Sequence, residues 1–90
     1  MKLNFEWDEE KAKTNIKKHG VSFDKATTVF LDPFSMTIPD PNHSVDEQRY
    51  IYIGSSDKGR VLVVVYAERR LNIRIISCRE ATPTERKLYE

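Results

Sequence analysis

The chain has 90 residues, of which 39% are hydrophobic, 32% charged and 10% aromatic. That supports one small core and not two, so residues 1–90 read as a single domain, and the aromatic content excludes a disordered chain. The net charge of +1 selects no class of partner by itself.

The longest apolar run, Val61 to Ala67, is seven residues, against the roughly 20 that a membrane-spanning helix needs. The opening MKLNFEWDEEK lacks the apolar stretch of a secretory signal. A single cysteine, Cys78, can form neither an internal disulfide nor a cysteine-based zinc site. These features point to a soluble cytoplasmic protein with no membrane contact.

In chain order, Leu3 to Trp7 alternates and reads as a short strand. Asp8 is placed to cap a helix running to His19, with Glu9 and Glu10 in its first turn and Lys17, Lys18 and His19 in its last. Gly20 supplies the left-handed stop. The apolar stripe of this helix is thin, with Ala12 and Ile16 as main members, while Lys11, Asn15 and His19 line a polar face. Ser22 caps a second helix of about ten residues, ended by Asp32-Pro33.

Phe34 to Ile38 is a candidate strand, followed by a loop from Pro39. Gln48 to Ile53, Val61 to Ala67 and Asn72 to Arg79 are strands joined by short connections. In a regular last strand, Ile73, Ile75, Ser77 and Arg79 face one way and Arg74, Ile76 and Cys78 the other. Thr82-Pro83-Thr84-Glu85 is a capping box opening a final helix anchored by Leu88 and Tyr89. The order β-α-α-β-β-β-β-α predicts an α+β fold. Its sheet is mainly antiparallel, of four to five strands, with two N-terminal helices on one face and a short C-terminal helix. The other face stays at least partly open.

Charge is unevenly spread. Residues 58–79 hold six bases (Lys58, Arg60, Arg69, Arg70, Arg74 and Arg79) and one acid, Glu68. Five of the six are arginine, the side chain suited to bidentate phosphate contact. The plain alternative is a solvated strand edge.

Several chemistries are excluded. Gly20, Gly54 and Gly59 are the only glycines, too few and too scattered for a phosphate loop or dinucleotide fingerprint. His19 and His43 are too separated for a convincing zinc site, and Asp40, His43, Asp46 and Glu47 read better as an acidic loop than as metal ligands. No metal or cofactor is expected. Cys78 sits among apolar strand residues as an inert core thiol. What remains is arginines on a sheet, one helix-terminal histidine and tyrosines. That set suits metal-free cleavage of RNA, in which the substrate's 2′-hydroxyl attacks its own phosphate. Guanidinium groups offset the developing charge, and imidazole can move the proton.

The words Phe5-Glu6-Trp7-Asp8, Lys11, Asn15 and Lys18-His19-Gly20-Val21-Ser22-Phe23 resemble the start of BrnT toxins. So do Ala26 to Asp32, Gln48-Arg49-Tyr50 to Gly54, and the tail Arg74 to Thr82 with Glu85-Arg86 and Tyr89. The resemblance spans residues 4–89. The sequence departs from the family pattern at Glu68-Arg69-Arg70-Leu71-Asn72, where relatives often carry glycine, and at Cys78, where alanine is common. The resemblance implies a RelE-like fold and a type II toxin, a ribonuclease that stops translation. It also implies a BrnA-like antitoxin partner, a ribbon-helix-helix DNA-binding protein through which operator DNA is reached and the operon repressed. A toxin dimer in that complex and contact with the ribosome are further implications, although the low net charge equally suits free RNA.

The candidate catalytic residues are Arg79 and Arg74 for the phosphate, and His19 and Glu68 for proton transfer. Lys18, Arg69, Arg70, Tyr66 and Tyr50 are candidate RNA contacts. Each has a plainer role: Arg79 paired with Glu85, His19 facing its helix dipole, Glu68 paired with Arg69 or Arg70, the tyrosines in packing. Arg74 and Arg79 meet one ligand only if a bulge intervenes or one reaches over the edge. The competing reading is a non-catalytic module, a degenerate toxin that only binds its antitoxin and co-represses the operon.

Overall fold

The computed structural model describes residues 4–39 and 48–89. In chain order its elements are β1 (Asn4–Glu6), α1 (Glu9–His19), α2 (Phe23–Val29), β2 (Met36–Pro39), β3 (Arg49–Ser55), β4 (Val61–Arg69), β5 (Asn72–Glu80) and α3 (Pro83–Tyr89). The α+β class and the predicted order hold. The acidic loop with Asp40, His43, Asp46 and Glu47 lies outside the described residues.

The helix signals act as their chemistry requires. Asp8 accepts from the amides of Glu10 at 2.8 Å and Lys11 at 3.4 Å. Gly20, at φ 69°, donates its amide to Ile16 and closes α1. The second helix is shorter than predicted. Thr27 and Thr28 turn their hydroxyls back on the carbonyls of Asp24 and Lys25. The amides of Phe30, Leu31 and Asp32 then bond three residues back, so the chain tightens before Pro33 stops it.

Among the described residues five strands form one sheet in the order β1-β5-β4-β3-β2. β2 to β5 pair antiparallel, while β1 joins the far edge parallel to β5. Pro39, expected in a loop, ends β2 opposite Tyr50 on this edge strand, where its missing amide costs no ladder bond. β4 is central, and its run of β-branched residues is buried on both faces.

α1 and α2 cover one face. Val21, Phe23, Ala26 and Val29 pack on Leu62, Val64, Ile75 and Cys78, with Trp7 edge-on to Phe23 at 5.9 Å. Gly54 sits beneath α2: a Cβ there would lie 2.8 Å from Val29 Cγ1 and 3.1 Å from Ser35 Cβ. Gly54→Ala should therefore cost about 1–3 kcal/mol through overpacking. Urea denaturation should show a lower midpoint at unchanged slope, and an unchanged midpoint would show that α2 yields freely.

Two packing expectations are corrected. Ile16 is 49% exposed, and Asn15, expected on a polar face, is 5% exposed. α1 is rotated so that Asn15 meets the free edge of β5, which β1 covers only at Asn72 to Arg74. There the Asn15 amide exchanges two bonds with the Cys78 backbone, at 2.8 and 3.1 Å, and donates to Val21 O at 2.9 Å. One side chain thus stands in for a strand neighbour. In α3, Leu88 is exposed and does not anchor. Tyr89 does, packing beside Ile53, Val63 and Ala81 and donating its hydroxyl to Asp32. α3 covers that end of the second face.

Candidate active site

The predicted facing of β5 is also corrected. Ser77 pairs with Val65 but Ile75 pairs with Tyr66, so Ile76 is one residue too many. Such a bulge reverses the alternation beyond it. Ile75 and Cys78 both turn to the helices and are buried. Arg74, Ser77 and Arg79 accordingly share the opposite face. The conflict between the two arginines is resolved by the bulge.

Carboxylates from two other elements hold these arginines. Glu6 of β1 is in register with Arg74 and accepts from it at 3.3 Å and from Asn72 at 2.8 Å. Arg69, at 3.8 Å, joins the same carboxylate. The hydrogen bond from Asn72, with help from both arginines, lowers the Glu6 pKa against the effect of burial. Glu85 grips Arg79 with both oxygens, at 2.7 and 2.8 Å. The capping box completes this contact: Thr82 N donates to Glu85 at 2.9 Å and Glu85 N to the Thr82 hydroxyl at 3.2 Å. The Arg79 side chain stays 40% exposed at the open face.

Arg79 holds the Glu85 carboxyl at about 2. A lowered carboxylate contributes stability above its unfolded value of about 4.3 and loses it as pH falls toward the folded value. The difference in unfolding midpoint between wild type and Glu85→Gln should be constant above about pH 5 and shrink steadily below about pH 4. A difference that ignores pH would show that the pair does not stabilise the fold.

Lys18 and His19 are exposed at the end of α1. With Lys11 and Thr14 they form one lip of a shallow groove of about 280 Å³, and Ile76 and Ser77 of β5 form the other. Ser77 lies on the strand between Arg74 and Arg79. The groove therefore meets the arginine face across the edge of β5.

Glu68, Tyr66 and Tyr50 are not brought there. They belong to the helix side of the sheet, where Tyr50 stacks on Tyr66 at 5.4 Å and Phe30 meets Tyr66 edge-on at 5.2 Å. Tyr66 is 8% exposed, and burial first and Glu68 second push its hydroxyl pKa up. It is a wall residue, not a free platform for a base. Arg70 sits in the β4–β5 turn with φ 57°, the one non-glycine with positive φ among the described residues. Cys78 is fully buried, and burial pushes its thiol up to about 12. Glu6, which no local pattern marked, is the site residue that the sequence concealed.

These observations meet the comparisons with known proteins. A family model described as "Ribonuclease toxin, BrnT, of type II toxin-antitoxin system" matches residues 7–85. No curated protein matches. Among solved structures, the chain is similar to the Brucella abortus ribonuclease toxin BrnT, known from a 1.1 Å crystal structure. The two are 28% identical, the match covers 90% of this chain and 99% of that one, and the TM-score is 0.67. With the family model spanning all but the ends and the fold shared, the chain belongs to the BrnT family of ribonuclease toxins of type II toxin–antitoxin systems.

Proposed function

We propose that this toxin is a metal-independent endoribonuclease that cleaves RNA through the substrate's own 2′-hydroxyl. One observation carries the reading: the β5 bulge sets Arg74 and Arg79 on one face with Ser77 between them, beside the groove lined by His19 and Lys18. Arg79, fixed by Glu85, contacts the scissile phosphate and offsets the charge that grows on it. Arg74 takes a neighbouring phosphate. His19 accepts the 2′-hydroxyl proton as O2′ bonds to phosphorus, and the 5′-oxygen leaves with a proton from solvent. The products are a 2′,3′-cyclic phosphate and a 5′-hydroxyl. Lys18 and Arg69 attract the strand, and Arg70 extends the basic surface. Glu68 faces the other side and takes no part.

The partner is an antitoxin, in this proposal a BrnA-like ribbon-helix-helix protein that carries the complex to operator DNA. RNA as substrate places the toxin in the cytoplasm, and no helix among the described residues is long and apolar enough to cross a membrane.

The test is incubation of the toxin with a defined single-stranded RNA in EDTA, beside a matched DNA, with the product ends mapped. Cutting of RNA only, with cyclic phosphate ends, supports the mechanism. Cutting that needs added Mg²⁺ overturns its metal-free form. No cutting of free RNA or of RNA on translating ribosomes favours the binding-only module, which the carboxylate partners already seated on both arginines suit.

A further inference from the structure

α1 carries two rows of side chains at a spacing of four residues: Glu10, Thr14 and Lys18 in one, Lys11, Asn15 and His19 in the other. All six line the groove against Ile76 and Ser77. Asn15 is buried and committed to the Cys78 backbone. Glu10, Lys11, Lys18 and His19 are exposed, and none of their side chains has a hydrogen-bond or ion-pair partner among the described residues. The groove thus has a free carboxylate beside a free ammonium at one end and the imidazole at the other. Ile76, the extra residue of the β5 bulge, gives it an apolar wall.

The spacing sets the size of the ligand. At a helix's rise, Glu10 and Lys11 stand about 12–13 Å along the axis from His19. A hydrogen bond at each end takes up roughly 3 Å, which leaves on the order of 7 Å between them. That is the reach of one purine from the sugar 2′-hydroxyl to the Watson–Crick edge.

We infer that the groove seats a guanine, the base of the nucleotide whose 2′-hydroxyl attacks, and that Glu10 and Lys11 read its Watson–Crick edge. The inference rests on the ribonuclease reading above, which puts His19 on that hydroxyl. Guanine is the RNA base with two adjacent donors, N1–H and N2–H, beside an acceptor, O6. The Glu10 carboxylate accepts both donors, one on each oxygen, and the Lys11 ammonium donates to O6. Adenine offers one donor there, and its N1 sets a lone pair against the carboxylate. Cytosine and uracil stop short of Glu10 when their sugar sits at His19. Ile76 packs on the face of the base. Glu10 and Lys11 choose which nucleotide is presented, and the proton transfer stays with His19.

The experiment uses short RNAs with one guanosine, inosine or adenosine in an otherwise all-uridine strand. Cleavage after that position is measured in EDTA as kcat/KM, for wild type and for Glu10→Gln, with folding checked by thermal unfolding. Wild type should cut after guanosine about 10–100 times faster than after adenosine. Inosine, which lacks only the N2 amino group, should fall between. Glu10→Gln should lower the guanosine-to-adenosine ratio about tenfold. The inosine comparison needs no variant and decides the matter if Glu10→Gln fails to fold. The same strands with a 2′-deoxy sugar at that one position cannot be cut, and their binding is followed by fluorescence anisotropy.

Equal wild-type rates after all three bases overturn the guanine seat, as does a Glu10→Gln variant that keeps the wild-type ratio or loses rate equally after every base. In each of these cases RNA is still cut, and the ribonuclease reading survives. If wild type cuts none of the strands, the deoxy strands decide separately. Guanine-selective binding that Glu10→Gln abolishes supports the seat while the ribonuclease reading falls. Binding that ignores the base, or no binding, overturns the seat as well.

Discussion

Alanine in place of Arg79 should lower the rate of RNA cleavage by about 10²–10³, the usual cost of removing one preorganised donor from a developing charge. The loss should appear mainly in kcat, since the guanidinium counts most when charge has built up on the phosphate. Arg79→Lys should recover only a small part. Lysine keeps the charge but cannot fill the two-pronged contact with Glu85. Without that grip the ammonium is free to wander. Antitoxin affinity should stay near wild type. Cleavage within threefold of wild type would remove Arg79 from the chemistry and return it to a role in tying α3 to β5. Equal loss of cleavage and antitoxin binding would point to the fold or the interface instead.

The second large effect concerns stability. Asn15→Ala removes three buried hydrogen bonds at once and strands the Cys78 amide and two carbonyls in the interior. Each unsatisfied buried group costs about 1–3 kcal/mol, so a loss of roughly 3–5 kcal/mol is expected. A domain of this size holds only about 5–15 kcal/mol in all. The unfolding midpoint should fall by roughly 12–40 °C, at about 4–8 °C per kcal/mol. Asn15→Asp should be no milder, because it sets a carboxylate against the carbonyls of Val21 and Cys78. Ile16→Ser, at the apolar neighbour, should stay within about 0.5 kcal/mol. An Asn15→Ala loss below about 1 kcal/mol would mean that water replaces the amide at the β5 edge.

The contrast between Asn15 and Ile16 shows what sequence could and could not reveal. Local signals were legible because their chemistry is local. Asp8, Gly20, Ser22 and the Thr82–Glu85 box all work within a few residues of themselves. The strands were legible from alternation and β-branched runs. The family was legible from short words in fixed order.

The long-range facts were not. Nothing near Asn15 indicates an edge more than sixty residues away. Ile76 looks like any apolar strand residue, so nothing in Arg74 to Arg79 marks it as the extra one. Its effect on which way Arg74 points is visible only once β4 supplies the register. Glu6 shares that fate, since parallel pairing leaves no turn in the sequence. Glu68 lies apart from the two arginines for the same reason: being the sole acid in a basic stretch says nothing about which face it takes.

The parallel pairing of β1 with β5 also orders events in time. A chain is made from its N-terminus, so β1 emerges before the other four strands and its partner β5 after them. Until β5 is free of the machinery that makes it, Glu6 has no Arg74 to hold. Glu85, which fixes Arg79, comes later still. On the proposed mechanism, a protein that attacks the message therefore gains its weapon only after β5 and Glu85 have followed β1 out of the machinery that reads it.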